Sequence, residues 1–219
     1  MESSISKPRA RNPHTPEALR AAFAGTRLPR DPLDVALPPG TGRWPEWMLK
    51  RLTGSLRPAG VLIPIMYRAG ELSVLFTQRS ADLTHHPGQI SFPGGGMEEH
   101  DADVQATALR ETHEEVGITP QQVSVIGYLG PTPTITGYAV TPTIGIVDPS
   151  SELIIDAMEV EYAFEVPLEF LLDESSVRHT QHEFDGQKVP VVEYQYEGQR
   201  IWGVTAHILQ VFRKIVIKK

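Results

Sequence analysis

The chain has 219 residues, of which 40% are hydrophobic, enough for one sizeable core with short extensions. Its net charge of −7 disfavours a nucleic-acid partner, because polyanions are bound by basic surfaces. The sequence contains no cysteine, which excludes disulfides, thiolate zinc sites and a cysteine nucleophile. The polar N-terminus lacks a signal segment, and the sequence has no apolar run of about 18 residues, so we expect no membrane span and a cytoplasmic location.

Residues 1–58 are predicted to be a peripheral N-terminal extension. One short helix is expected at 15–24, with Thr15 as its N-cap and Pro16 at its first position. Gly25 follows the expected end of this helix, where glycine is common. A dimer arm is one interpretation of the extension, which makes a homodimer a prediction of the sequence. Five prolines interrupt regular structure elsewhere in this segment: Pro29, Pro32, Pro38, Pro39 and Pro45.

The pattern changes at residue 59, where strand-like apolar runs begin. A hairpin is predicted from strands at 61–67 and 72–78 with a loop at 68–71. A helix is expected at 101–116, and a last helix at 205–214 with Thr205 as its cap. Mixed strands with few helices predict an α+β domain over 59–219 rather than a doubly wound sheet. Further strands are predicted at 123–129, 138–147, 160–166 and 189–196, with a short helix at 167–172.

The helix at 101–116 carries the most informative pattern. Asp101 is a suitable N-cap residue, and Gly117 follows the last periodic residue, as expected at a helix C-terminus. Spacing of 100° per residue predicts that one arc of this helix faces the core. The residues on that arc are Val104, Ala108, Leu109, Thr112 and Val116.

Three carboxylates, Glu111, Glu114 and Glu115, border this apolar arc. Like charges at this spacing destabilise a helix, and a bound divalent cation removes the penalty because Mg²⁺ prefers carboxylate oxygens. A glycine-rich turn predicted at 93–96 precedes the helix, and its backbone N–H groups can approach a phosphate. The alternative is an Arg110–Glu114 pair on a solvated helix face. The position of the carboxylates beside the buried arc favours a metal site.

The segment from Gly95 to Ile118 resembles the Nudix box, whose family pattern is G-x5-E-x7-R-E-U-x-E-E-x-G-U, with U a bulky aliphatic residue. Two positions depart from that pattern. The leading acid is Asp101, one residue early, with Ala102 at the strict position. Thr112 replaces an aliphatic residue, and its hydroxyl can bond the carbonyl of Ala108. The matching residues run Gly95-x5-Asp101-x8-Arg110-Glu111-Thr112-x-Glu114-Glu115-x-Gly117-Ile118.

This resemblance implies an α/β/α sandwich around a mixed sheet and hydrolysis of a diphosphate by an activated water. It assigns metal binding to Glu111, Glu114 and Glu115, with Mg²⁺ as the expected ion and Mn²⁺ as an alternative. It assigns catalytic roles to Glu114 and Glu115 and to Arg110, which orients a glutamate. The proton acceptor stays open among four residues: Glu114, Glu159, Glu161 and Glu165.

The stretch before the box resembles the additional motif of coenzyme A pyrophosphatases, L-L-T-x-R-S/A-x3-R-x3-G-x3-F-P-G-G. Phe76 replaces a leucine, and Thr84 replaces an arginine. By this resemblance we expect Arg79, Gly94 and Gly95 to contact substrate phosphates. The matching residues run Leu75-Phe76-Thr77-Gln78-Arg79-Ser80-x3-Thr84-x3-Gly88-x3-Phe92-Pro93-Gly94-Gly95.

The implied reaction converts coenzyme A into 4′-phosphopantetheine and adenosine 3′,5′-bisphosphate. One alternative is another nucleoside diphosphate derivative, such as ADP-ribose, a dinucleotide cofactor or an oxidised nucleotide. Another is a module that senses a nucleotide without cleaving it. A zinc peptidase is disfavoured because Gly117 stands where the second histidine of H-E-x-x-H would follow His113.

Overall fold

A computed structural model describes residues 15–37, 41, 44–81, 88–184 and 186–218. The described residues form five α-helices and eleven strands. The helices are α1 (Pro16–Phe23), α2 (Glu46–Leu52), α3 (Val104–Val116), α4 (Leu168–Leu172) and α5 (Gly203–Ile217). The strands are β1 (Arg57–Arg68), β2 (Glu71–Arg79), β3 (Ile90–Ser91), β4 (Gly94–Gly96), β5 (Val123–Tyr128), β6 (Thr132–Pro133), β7 (Tyr138–Val147), β8 (Val160–Pro167), β9 (Val177–Phe184), β10 (Gln187–Tyr196) and β11 (Gln199–Trp202).

The main sheet is mixed and is centred on β1. Strand β1 pairs parallel with β7 and antiparallel with β2, and the described strands follow the order β3-β2-β1-β7-β5. Strand β8 also pairs with β2, while β4 pairs with β1 and β6 with β7. A second, antiparallel sheet has the order β11-β10-β9. Five strands were not predicted from the sequence. Three of them, β3, β4 and β6, have only two or three residues, and the other two, β9 and β11, belong to the second sheet.

Helices cover both faces of the main sheet. Met66 of β1 packs in a cluster with Val116 of α3. The neighbouring Ile65 points to the opposite face and joins the main core with Phe212 of α5. This alternation is the period of two expected for a strand buried on both faces. The predicted α+β fold with a mixed sheet between helices is confirmed.

Helix α1 belongs to the main core although it lies in the predicted extension. Thr15 caps it as predicted, accepting a 3.1 Å hydrogen bond from the backbone of Ala18. Phe23 is buried, and its ring stacks on Phe212 with centroids 5.3 Å apart. Helix α1 therefore packs on the core of the predicted domain 59–219, and the boundary between residues 58 and 59 stays a prediction.

Helices α2 and α5 differ from the prediction. Helix α2 was not predicted, because Pro45 was interpreted as an interruption, whereas it occupies the N-cap position of this helix. Helix α5 begins at Gly203, so the predicted cap at Thr205 is wrong. The Thr205 side chain is buried, and its hydroxyl donates to the carbonyl of Ile90 at 3.4 Å. Within the described ranges, no helix has the length and apolar character needed to cross a membrane.

Candidate active site

The site is built on α3, which lies very close to β1. A Cβ atom at Gly60 would lie 2.0 Å from the carbonyl oxygen of Val104, so glycine is required for this approach. The N-cap of α3 is Asp103, whose side chain accepts from the backbone N–H of Ala106 at 2.8 Å. The predicted N-cap at Asp101 is therefore wrong, because the carboxylate of Asp101 is bound elsewhere.

Asp101 binds Arg110 through two parallel hydrogen bonds. The guanidinium donates from Nε to Oδ1 at 3.0 Å and from Nη2 to Oδ2 at 2.9 Å. The Thr107 hydroxyl and the Glu98 backbone N–H also donate to Oδ2. These bonds, the one from Arg110 first, hold the pKa of Asp101 well below its usual range despite burial of the group. A two-pronged pair of this kind fixes the orientation of the guanidinium.

Arg110 uses its remaining donors on the glutamates of α3. Its Nη1 donates to Glu111 at 3.0 Å and to Glu114 at 2.8 Å. Its Nη2 also reaches the carbonyl of Gly96 in β4 at 3.3 Å. The Arg110–Glu114 pair considered in the sequence analysis is thus present. It is one hydrogen bond of a larger network that links α3 to β4 (Gly94–Gly96), the glycine strand.

Three glutamates converge beside this network: Glu111, Glu115 and Glu159. One carboxylate oxygen from each lies within 4.8 Å of the others. Glu111 and Glu115 share a face of α3, while Glu159 comes from the residue immediately before β8. Pairing of β8 with β2 brings Glu159 to α3. Glu114 lies outside this trio, with its side chain 48% exposed beside Arg110.

The Glu115 carboxylate is buried, and its capacity to accept hydrogen bonds is only partly used. Its side chain is 1% exposed, and among the described residues its Oε2 has no hydrogen-bond partner. Burial raises its pKa to about 8, and the charges of Glu111 and Glu159 act in the same direction. The Arg79 guanidinium, 3.5 Å from Oε1, and the Gly94 backbone N–H lower that pKa. A buried, partly unsatisfied carboxylate among two others is a donor set that suits a hard divalent cation.

The glycine-rich segment 93–96 lies against the same glutamates. It was predicted to be a turn, but Gly94–Gly96 forms strand β4 on β1, so that prediction is wrong. A Cβ atom at Gly95 would lie 2.4 Å from Oε1 of Glu111. The glycine lets the carboxylate touch the backbone, and a larger residue would displace it.

A cavity of about 1040 Å³ opens in front of β4. Its lining includes Gly94, Gly95 and Arg79, the three residues predicted to contact substrate phosphates. Arg79 ends β2 and faces Glu115. Thr84, which departs from the coenzyme A pyrophosphatase motif, lies outside the described residues.

Two other candidates for the proton acceptor are not brought to the trio. Glu161 accepts a 2.8 Å hydrogen bond from Nε2 of Gln78 on the surface. Glu165 is bound by the Ser73 hydroxyl and lies 3.5 Å from Arg68. Among the four residues left open by the sequence, the geometry places Glu159 with Glu111 and Glu115, and Glu114 next to Arg110.

Comparison with known proteins agrees with this architecture. A family profile described as the NUDIX domain matches residues 56–174. A protein of Photorhabdus laumondii named "Uncharacterized Nudix hydrolase NudL" is 42% identical over 160 residues, covering 73% of this chain and 85% of its own length. The protein of the same name from Escherichia coli O1:K1 / APEC is 41% identical over 162 residues, covering 74% and 84%. The chain therefore belongs to the Nudix family, whose members hydrolyse diphosphate linkages with divalent metal ions.

Solved structures of this family are more distant. A MutT/nudix family protein from Enterococcus faecalis is 16% identical, with 73% of this chain and 61% of that chain covered and a TM-score of 0.47. The NUDIX domain of Shewanella oneidensis NrtR, complexed with ADP ribose, is 20% identical, with 54% and 77% covered and a TM-score of 0.43.

Proposed function

We propose that this protein hydrolyses the diphosphate linkage of coenzyme A, giving 4′-phosphopantetheine and adenosine 3′,5′-bisphosphate, with Mg²⁺ as its metal and Mn²⁺ as an alternative. The observation that carries the proposal is the position of Glu111, Glu115 and Glu159 beside the glycine strand that lines the large cavity. The resemblance of residues 75–95 to the coenzyme A pyrophosphatase motif supports the choice of substrate.

In this proposal Glu111, Glu115 and Glu159 hold the metal, and Glu114 completes the acidic site at its exposed edge. A bound Mg²⁺ supplies charge neutralisation at the phosphate oxygens and lowers the pKa of a coordinated water. Arg110, fixed by Asp101, keeps Glu111 and Glu114 in position through its Nη1 hydrogen bonds.

Glu114 is the proposed proton acceptor. It lies outside the trio and is half exposed, so its oxygens are not all committed to a metal. A carboxylate in this position can take a proton from a water that attacks the phosphorus. Glu115 is unsuited to that role, since its burial and its place in the trio commit it to the metal.

Arg79 and the glycine strand are proposed to bind the diphosphate. The Arg79 guanidinium lies at 3.5 Å from Glu115, at the border between the acidic trio and the cavity. Guanidinium binds phosphate oxygens in pairs, and it neutralises charge that the carboxylates would otherwise repel. Gly94 and Gly95 line the same cavity and would contact these phosphates through their backbone.

The test is hydrolysis of coenzyme A, dephospho-coenzyme A and ADP-ribose by the purified chain, with Mg²⁺, Mn²⁺ or EDTA and with products read by mass spectrometry. Metal-dependent release of 4′-phosphopantetheine is the expected result. Cleavage of ADP-ribose alone would favour the other nucleotide substrates. Binding without cleavage in every condition would favour a sensing module.

Two matched variants connect the reaction to the site. Glu159→Gln and Glu161→Gln each remove one negative charge, two residues apart. We expect Glu159→Gln to raise the Mg²⁺ concentration needed for half-maximal activity by more than about tenfold, because a ligand is lost. Glu161→Gln should leave it unchanged, and equal effects of the two would contradict the proposed ligand set. The cytoplasmic location, the homodimer and the absence of nucleic-acid partners stay predictions of the sequence.

A further inference from the structure

The cavity in front of β4 has one wall that the family profile does not cover. The profile matches residues 56–174, whereas α2 precedes that range and β9, β10 and α5 follow it. All four elements contribute lining residues to the cavity. This part of the cavity is therefore built by elements outside the range that the family profile matches.

Helix α2 is held in this wall by its own hydrophobic cluster. Met48 and Leu52 are 2% and 3% exposed and pack with Val189 of β10. The cluster shares no residue with the other two clusters found in the described part of the chain. Half-buried residues pack around it: Trp44, Trp47, Ile135 and Phe184.

Almost every member of this cluster also lines the cavity. The lining includes Met48, Leu52 and Val189 together with Trp44, Ile135 and Phe184, while Trp47 alone of the cluster does not contribute. The cluster thus presents an aliphatic and aromatic surface to the cavity. Such a surface gains free energy by excluding water from an apolar ligand.

Charge is distributed unequally around the cavity. Among the described lining residues, the permanent cations are Arg79, beside the glutamates, and Lys214, on α5. His207 and Gln210 on α5 add polar groups, whereas the side chains from α2 are apolar. The α5 side of the cavity therefore suits the half of a substrate that carries phosphate. The α2 side suits an uncharged chain.

We propose that Met48 and Leu52 of α2, together with Trp44 just before the helix, bind the uncharged arm attached to the second phosphate of the substrate, and thereby select diphosphates that carry a long uncharged chain over those that carry a sugar. This proposal rests on the proposed function for the reaction but assigns a specificity role to a segment outside the shared domain. The same surface should accept an acyl group at the end of the arm.

Chain length provides a direct measure of this contact. For the wild-type protein we expect kcat/KM to rise from coenzyme A through its acetyl, butyryl and hexanoyl thioesters, by up to about fourfold for each methylene that leaves water. The gain should be mainly in KM, because the arm is remote from the bond that breaks.

The test variant is Trp44→Ala, which removes a half-buried ring from the wall and keeps the buried residues Met48 and Leu52. We expect the ratio of kcat/KM for the hexanoyl thioester to that for coenzyme A to fall severalfold towards one. The ratio is an internal control, since partial unfolding lowers both values equally. The matched control is Lys50→Ala, whose side chain on the outer face of α2 is 75% exposed and pairs only with Glu46 in the described structure.

Binding of the arm alone separates this proposal from the proposed function. Titration with 4′-phosphopantetheine and its hexanoyl thioester, followed by thermal unfolding, should show a larger stabilisation by the thioester in the wild type and a smaller difference in Trp44→Ala. Arm binding without coenzyme A cleavage would refute the reaction and keep the inference. Coenzyme A cleavage with equal ratios in wild type and Trp44→Ala, or with no dependence on chain length, would overturn the inference and keep the reaction.

Discussion

Asp101 and Arg110 are nine positions apart in the sequence and form paired hydrogen bonds of 3.0 and 2.9 Å. The Asp101 side chain is 3% exposed. This contact fixes a guanidinium that in turn holds two glutamates of the acidic site. Asp101 is therefore a positioning residue, although it stands one position away from the acid of the family pattern.

The first prediction concerns Asp101→Asn. The loss of the buried charge should lower the free energy of unfolding by about 3 kcal/mol, because Arg110 loses its main partner. It should also lower activity by about tenfold or more through misplacement of the glutamates. Asp103→Asn is the control, since it removes the same charge two residues away and asparagine caps a helix as well as aspartate. Thermal unfolding and steady-state kinetics of both variants check this, and equal behaviour would contradict it.

The second prediction concerns pH and metal. The pKa of Glu115 is raised from 4.5 to about 8, so between these values the folded chain holds a proton that the unfolded chain has lost. Without metal, stability should therefore fall as pH rises from about 4.5 to about 8 and should not depend on this group outside that window. Because Mg²⁺ needs the ionised carboxylate, its stabilising effect should grow over the same window.

Thermal unfolding in EDTA and in Mg²⁺ across this pH range measures that dependence. Glu115→Gln should remove both the fall in stability and the response to Mg²⁺, while keeping the fold. A response to Mg²⁺ that is the same at the two ends of the window would show that Glu115 is not in the metal site.

The third prediction concerns Gly95. An added Cβ atom would lie 2.4 Å from the Glu111 carboxylate, so Gly95→Ala should displace this glutamate. A shift of about 1 Å in a catalytic group can lower the rate by up to about a hundredfold. Gly130→Ala is the control, because nothing lies within 4 Å of the position that its Cβ would take. An active Gly95→Ala with unchanged Mg²⁺ affinity would rule out close contact between β4 and the metal ligands.

The fourth prediction concerns the start of the domain. Phe23 is 1% exposed and stacks on Phe212, so Phe23→Ala should lower the free energy of unfolding by about 3 to 5 kcal/mol. Glu17→Ala, on the exposed face of α1, should change it by less than about 0.5 kcal/mol. Urea unfolding measures both. A small loss for Phe23→Ala would support the predicted domain boundary between residues 58 and 59.

Features that lie within a single element of secondary structure could be predicted from the sequence. The C-terminal end of α3 could be predicted because its C-cap residue is Gly117, which has the left-handed φ of 76° that favours glycine. The hydroxyl of Thr112 donates to the carbonyl of Ala108 at 2.6 Å, as expected from their spacing. The position of Glu111 and Glu115 on one helical face also follows from local geometry alone.

Relationships that depend on distant pairing could not be derived in the same way. Glu159 reaches the site because β8 pairs with β2 and because the loop before β8 bonds to α3, where the Asp156 backbone N–H donates to the carbonyl of Glu115 at 3.1 Å. In the sequence, three nearby glutamates looked equivalent. The choice between Asp101 and Asp103 as helix cap is decided by Arg110, which competes for one of them. The local signal for helix α2 is the apolar pair Met48 and Leu52, four residues apart. The neighbouring prolines were interpreted as evidence against a helix there.

The separate hydrophobic cluster beneath α2 has a consequence for the motions of the chain. Met48 and Leu52 belong to this small cluster and not to the main core, so we expect α2 to open without disruption of the main core. Local opening of this kind has a lower free energy than global unfolding, so backbone amides of α2 should exchange with deuterium well before those of β1. A ligand that binds against α2 should slow this exchange, so the exchange rate of α2 reports whether the cavity is occupied.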